Sequence, residues 1–164
     1  MPRMKKILLV SMIVFASSGT ALAGGQPGSI GVGAELELSN LGGVSANYDA
    51  GKFHVGGFIG FNDPAGASNE QIDIGGRFFF HIASTASSDF SVGGGLGIQS
   101  TNHPAAAGGR TTGLFLEPGF QIRAFVVPNV ALSFTGGLSI GAVDESSVKI
   151  AGDFTGTAGV HYYF

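Results

Sequence analysis

The side chains with the clearest chemistry are four histidines and a set of carboxylates, because the chain has no cysteine. That absence excludes a cysteine nucleophile, a thiolate metal site and a disulfide scaffold. His103 follows Ser100 in Thr101-Asn102-His103-Pro104, and Asp144 and Glu145 stand on a later polar segment. A histidine, a hydroxyl and a carboxylate can form an acyl-transfer site only if the fold brings them to one point. Residues 102–109 form a Pro/Ala/Gly-rich stretch that reads as a flexible loop, so spacing fixes no such meeting and no catalytic residue is assigned. Gly93-Gly94-Gly95 lies inside an alternating segment rather than at a strand-to-helix turn, which excludes a phosphate-cradling loop.

His54, His81 and His161 could in principle share a metal. The first two fall on neighbouring segments and the third on the last segment of the chain, so no metal and no other cofactor is expected. Among the charged residues, Glu35, Arg77, Glu117 and Asp153 fall at comparable positions along their segments, with Arg123 lower. Charges enclosed by a fold must pair or neutralise. We therefore expect an Arg77-centred ionic network with Glu35, Glu117 and Asp153, and Arg123 beneath it. Glu37 and Asp73 add to an acidic excess.

The elements that must position these residues show a period of two. Ile30, Val32, Ala34, Leu36 and Leu38 alternate with Gly31, Gly33, Glu35 and Glu37, as one two-faced strand requires. The same alternation returns in segments 44–48, 53–61, 71–82, 90–98, 114–124, 132–140 and 150–164, giving eight strands. In each, the large apolar side chains share one face, and the charges, small residues and Phe58, Phe79, Phe115 and Phe125 share the other. Residues 40–43 and 49–51 carry the Gly and Asn/Asp of hairpin turns. The connectors are mostly short on one side and longer and more polar on the other, the Asn40 to Gly42 connector being short where a longer loop is expected. Pro118 removes a ladder hydrogen bond from the sixth strand, and a bulge at Pro118-Gly119 would accommodate it.

Residues 1–23 read as a cleaved secretory signal peptide: Arg3, Lys5 and Lys6 precede an apolar run, and Ala21-Leu22-Ala23 is a small-residue cleavage motif. The 24–164 remainder is expected to be one domain. Loss of the three leader cations leaves a clearly acidic mature chain, against a nucleic-acid partner. Only 12% of the chain is charged, whereas soluble domains carry about 25%. Water has little to hold on the apolar face, so these strands read as an all-β, eight-stranded antiparallel up-and-down transmembrane β-barrel rather than a soluble lipocalin-like ligand-binding barrel.

The chain ends Gly159-Val160-His161-Tyr162-Tyr163-Phe164, an aromatic terminus with apolar or aromatic residues at every second position before it. This resembles the C-terminal signature of bacterial outer-membrane β-barrel proteins, and the whole mature chain is similar to the small OmpA/OmpX-type barrel class. The resemblance implies that Val160, Tyr162 and Phe164 carry the assembly signal read by the barrel-assembly machinery. It also implies a bacterial outer-membrane location, both termini periplasmic, outer-membrane lipid around the wall and a monomeric state. The functional expectation is a structural or surface-interaction role around a polar, side-chain-filled lumen. A narrow cation-preferring, porin-like pore is the runner-up, then a lipid A-modifying enzyme. The chain shows neither the histidine-serine motifs of the lipid A deacylases nor the N-terminal amphipathic helix of the palmitoyl transferase class, so no enzymatic activity is expected.

Overall fold

The computed structural model describes residues 26–63, 70–103, 109–142, 146–151 and 158–164. Within them the period-two segments form nine strands: β1 (Ile30–Leu36), β2 (Gly42–Asp49), β3 (Phe53–Asn62), β4 (Gln71–Ser84), β5 (Ser88–Asn102), β6 (Arg110–Val127), β7 (Val130–Ala142), β8 (Ser146–Ala151) and β9 (Ala158–Tyr163). Each of β1 to β7 pairs antiparallel with the next. β9 closes the ring by pairing with both β7 and β1. Ile30 and Phe164 exchange two backbone hydrogen bonds of 3.1 and 3.0 Å at the seam. The result is a closed up-and-down barrel with eight wall positions, the last shared by β8 and β9.

The side-chain distribution follows the alternation and is inverted relative to a water-soluble domain. Ile59, Ile74, Phe78, Leu96, Leu116 and Ile122 are exposed on the outer face, Phe61 to 70%. The buried set is mostly polar: Glu35, Glu37, Asp49, Asp73, Asp89, Glu117, Arg77 and Arg123 all lie inside, Arg123 at 2%. Phe58, Phe79 and Phe125 are buried inside with them, whereas Phe115 is half-buried. Small residues make this filling possible. A Cβ at Gly75 would strike the Phe58 ring, and one at Gly97 would strike Leu41.

Three features depart from the sequence expectations. Pro118 sits in register, opposite Gly94, with no bulge; the β6–β7 pairing instead lapses at Glu117 and Pro118 and resumes at Gly119. Skipping one stretch of ladder accommodates the missing N–H without shifting the faces, so Gln121, Arg123 and Phe125 still point inward. The register shifts lie elsewhere, at His81/Ala83 and Phe125/Val127.

The eighth wall position is not one continuous strand. From Phe134↔Ala158 to Gly137↔Ala151, β7 advances three residues while the other side advances seven. An uninterrupted ladder would need equal steps.

Finally, β1 stops at Leu36, two residues before the alternation ends. Leu38, expected on the outer face, is buried. Residues 37–41 form a tight hairpin connection in which Asn40 N donates to Glu37 O at 3.0 Å and Glu37 N to Leu41 O at 2.6 Å. Asn40 has φ 67°, a left-handed conformation that asparagine tolerates well and that three-residue hairpins use at this place. The turn bends into the barrel, carrying Glu37, Leu38 and Leu41 with it.

Candidate functional site

Among the described residues the interior holds two charge clusters, one towards the 37–41 turn and one towards the chain termini. In the first, Arg77 of β4 lies against Glu35 of β1, with Glu37 at 3.6 Å. Its Nη2 also donates to Asn47 Oδ1 at 2.9 Å. Glu117, expected beside Arg77, has different partners. Its carboxylate accepts the amides of Leu38 at 3.1 Å and Ser39 at 2.6 Å, and the Ser139 hydroxyl at 3.1 Å. Asp73 accepts from Gln71 at 2.9 and 3.0 Å, and from the Gly42 amide at 3.4 Å. Asp153 lies outside the described residues.

The second cluster is built around Arg123, which lies apart from Arg77 as the sequence places it. One guanidinium nitrogen donates to Asp49 and to Asp89, both at 2.6 Å, and the other to the Tyr163 hydroxyl at 3.1 Å. The Phe125 and Tyr163 rings flank it, 5.5 and 5.8 Å from the guanidinium carbon. These partners come from β2, β5, β6 and β9, so the cluster spans the lumen. Asp49 also accepts the Gly51 amide at 2.8 Å, steadying the turn beyond β2 where Gly51 has φ 84°. Asp49 and Asp89 were missed in the sequence, although each continues an inward face: Asp49 after Ser45 and Asn47, and Asp89 before Ser91.

The three inward histidines do not converge. His54 Nδ1 lies 2.9 Å from His81 Nε2, whereas His161 is in the other cluster, 2.6 Å from Ser45 Oγ and 3.5 Å from Glu35. His81 Nδ1 lies 2.8 Å from the Gly51 carbonyl, which fixes the proton on Nδ1 and leaves Nε2 as an acceptor. Ligand atoms of Asp49, His81 and Asp89 lie within 4.8 Å of one another, a spacing that could hold a metal ion. Arg123 Nη2 sits among them, 3.2 Å from His81 Nε2. A guanidinium keeps its proton at any ordinary pH, so this set already has its cation.

Ser45, His161 and Glu35 bring together a hydroxyl, an imidazole and a carboxylate, but both oxygens approach the same nitrogen, Nε2. A nucleophile relay needs them on opposite ring nitrogens. Near the loop end, Ser100 Oγ pairs with Thr112 Oγ1 at 3.2 Å, and the His103 amide donates to Gly109 O at 2.8 Å. Asp144 and Glu145 lie outside the described residues.

On β9, Val160 is exposed and Tyr162 is half-buried, while His161 and Tyr163 point inward; Phe164, just past the strand, is exposed. No protein-family model, curated protein or solved structure matches the chain.

Proposed function

We infer that the chain is an outer-membrane β-barrel protein with a structural or surface-interaction role, a filled lumen and no catalytic machinery. The observation that carries this reading is the inverted burial: large apolar side chains on the outside of a closed barrel, charged and polar ones within. Moving that apolar surface into hydrocarbon is favourable by about 25 cal/mol per Å², whereas a soluble barrel would leave it in water. The leader-like residues 1–23 and the aromatic terminus at Phe164 support an outer-membrane destination with the termini on the periplasmic side. An eight-stranded wall encloses only enough room for its own side chains, and the Arg123 cluster crosses that room. Both support a monomeric barrel that acts through its outer surface and loops.

The test is refolding. In detergent micelles the chain is expected to give a β-rich spectrum and a band that migrates differently before and after heating. Folding in buffer without detergent would overturn the reading and favour a soluble barrel. A narrow cation-preferring pore is the second reading, favoured by the acidic excess of the lumen; steady cation-selective conductance in planar bilayers would favour it.

A further inference from the structure

Closing the ring requires β9 to meet β1 in one register, and alternation alone does not choose it. A slip of two residues keeps every side chain on its own face and keeps the hydrogen-bonding positions in phase. In a closed barrel the register of each joint contributes to the stagger of the whole ring, so such a slip changes the shape of the wall and not only the seam.

The inner face of the joint supplies what the pattern lacks. Ile30 and Phe164 exchange both backbone hydrogen bonds. Stepping from that pair makes Gly31↔Tyr163, Gly33↔His161 and Glu35↔Gly159 the narrow, non-hydrogen-bonded pairs, with Cα atoms about 4.5 Å apart. All three face the lumen, where Tyr163, His161 and Glu35 are buried. Each sets one bulky side chain against a glycine. A Cβ at Gly31 would lie 2.7 Å from the Tyr163 ring, one at Gly33 would strike the Val160 carbonyl, and one at Gly159 would lie 3.3 Å from Glu35 Cβ. Along the joint β1 reads small, small, large, and β9 reads large, large, small. A slip of β9 by two towards the loop end opposes His161 to Glu35, two bulky groups in a narrow pair. The reverse slip opposes Gly159 to Gly33 and carries Tyr163 past Gly31, leaving a void. Either slip moves Tyr163 about 7 Å along the strand, off its hydrogen bond to Arg123.

We propose that these three size-matched pairs are the register key of ring closure, with the inward face of β9 recognised by β1 of the same chain. Tyr163 and Gly31 are the principal pair, because the ring fills the space that a side chain on β1 would need. Val160, Tyr162 and Phe164 face the other way and take no part in it. The key belongs to the closed ring and operates in lipid or in water, beyond the membrane reading.

The register can be read by disulfide capture on the outer face, since the native chain has no cysteine. Ala34 and Val160 are direct partners in a hydrogen-bonded pair, with Cα atoms about 5.5 Å apart, within disulfide range. Ala34 and Tyr162 come opposite each other only after a slip towards the loop end. In the refolded chain Ala34→Cys with Val160→Cys is expected to crosslink on oxidation, and Ala34→Cys with Tyr162→Cys is not. Tyr163→Phe loses the hydroxyl on Arg123 but keeps the ring, and should leave this pattern unchanged. Gly31→Phe should lower the native crosslink severalfold. Adding Tyr163→Gly moves the bulk across the joint and should restore the crosslink to the Tyr163→Phe level, a comparison that still decides if Gly31→Phe alone does not fold. An undiminished native crosslink in Gly31→Phe, or a crosslink that stays low in the swapped pair, would overturn the register key. Failure of the membrane reading would register separately, as folding of the parent chain without detergent.

Discussion

Glu117 on β6 holds the backbone of a turn 78 residues earlier: its Oε1 accepts the Ser39 amide at 2.6 Å. One carboxylate thereby ties the β1–β2 hairpin, at the start of the ring, to the far wall. Hydrogen bonds to a charged acceptor contribute about 1.5–3 kcal/mol each, and a buried donor left unmatched costs about 1–3 kcal/mol. Glu117→Ala is therefore expected to lower stability by about 3 kcal/mol, measured by urea unfolding in lipid vesicles. Glu117→Gln should lose less than half of that. Equal losses would mean that a neutral acceptor cannot replace the carboxylate and that the hold depends on its charge.

Arg123 is the counter-ion of two buried carboxylates, Asp49 and Asp89. Removing one partner of such a set costs about 3–5 kcal/mol, because the remaining charges are left enclosed and unmatched. Arg123→Ala should lower the unfolding midpoint accordingly. It should also leave His81 Nε2 and the two aspartates grouped around an uncharged space, a ligand set that suits zinc. Zinc is expected to raise the melting temperature of Arg123→Ala and leave the wild type unchanged. A wild-type protein stabilised as much as the variant would show that the guanidinium does not take the cation's place.

Leu96, 53% exposed next to the middle of β5, distinguishes lipid from water around the wall. An arginine facing the bilayer midplane costs about 2–4 kcal/mol, while the same change on a wet surface is within about 0.5 kcal/mol. Leu96→Arg should destabilise the vesicle-embedded protein by the larger amount. A change near zero would place that face in water.

Much of this arrangement was legible as alternation. The inward placement of Arg77 and Arg123 and the outward placement of Ile74 and Phe78 follow from period two alone, because one step along a strand reverses the face. The bend at Leu38 did not follow, since the pattern Ile30, Val32, Ala34, Leu36, Leu38 continues past the last paired residue and carries no mark of where pairing stops. Asn40 was the available hint, as a residue suited to left-handed φ. The alternation of residues 150–164 likewise concealed the split into β8 and β9, because the unequal steps appear only against β7. Glu117 illustrates a further limit. Its inward direction was readable, but its partners are amides of a turn, and no side-chain inventory pairs a carboxylate with backbone from another hairpin.

Phe164 joins the two ends of the ring through its backbone and exposes its ring on the outer face. These two roles separate experimentally. Deleting Phe164 removes two neutral backbone hydrogen bonds to Ile30, each contributing about 1 kcal/mol, so refolding of the purified chain into micelles should survive with a small loss of stability. Phe164→Ala keeps those bonds and removes only the aromatic ring, and its refolded stability should stay within about 1 kcal/mol of the parent chain. If the terminal aromatic is an assembly signal, both variants should nevertheless reach the outer membrane poorly in cells, with heat-modifiable protein falling severalfold in membrane fractions. Normal cellular assembly of Phe164→Ala would remove the signal role and leave Phe164 as a closing residue of the barrel seam.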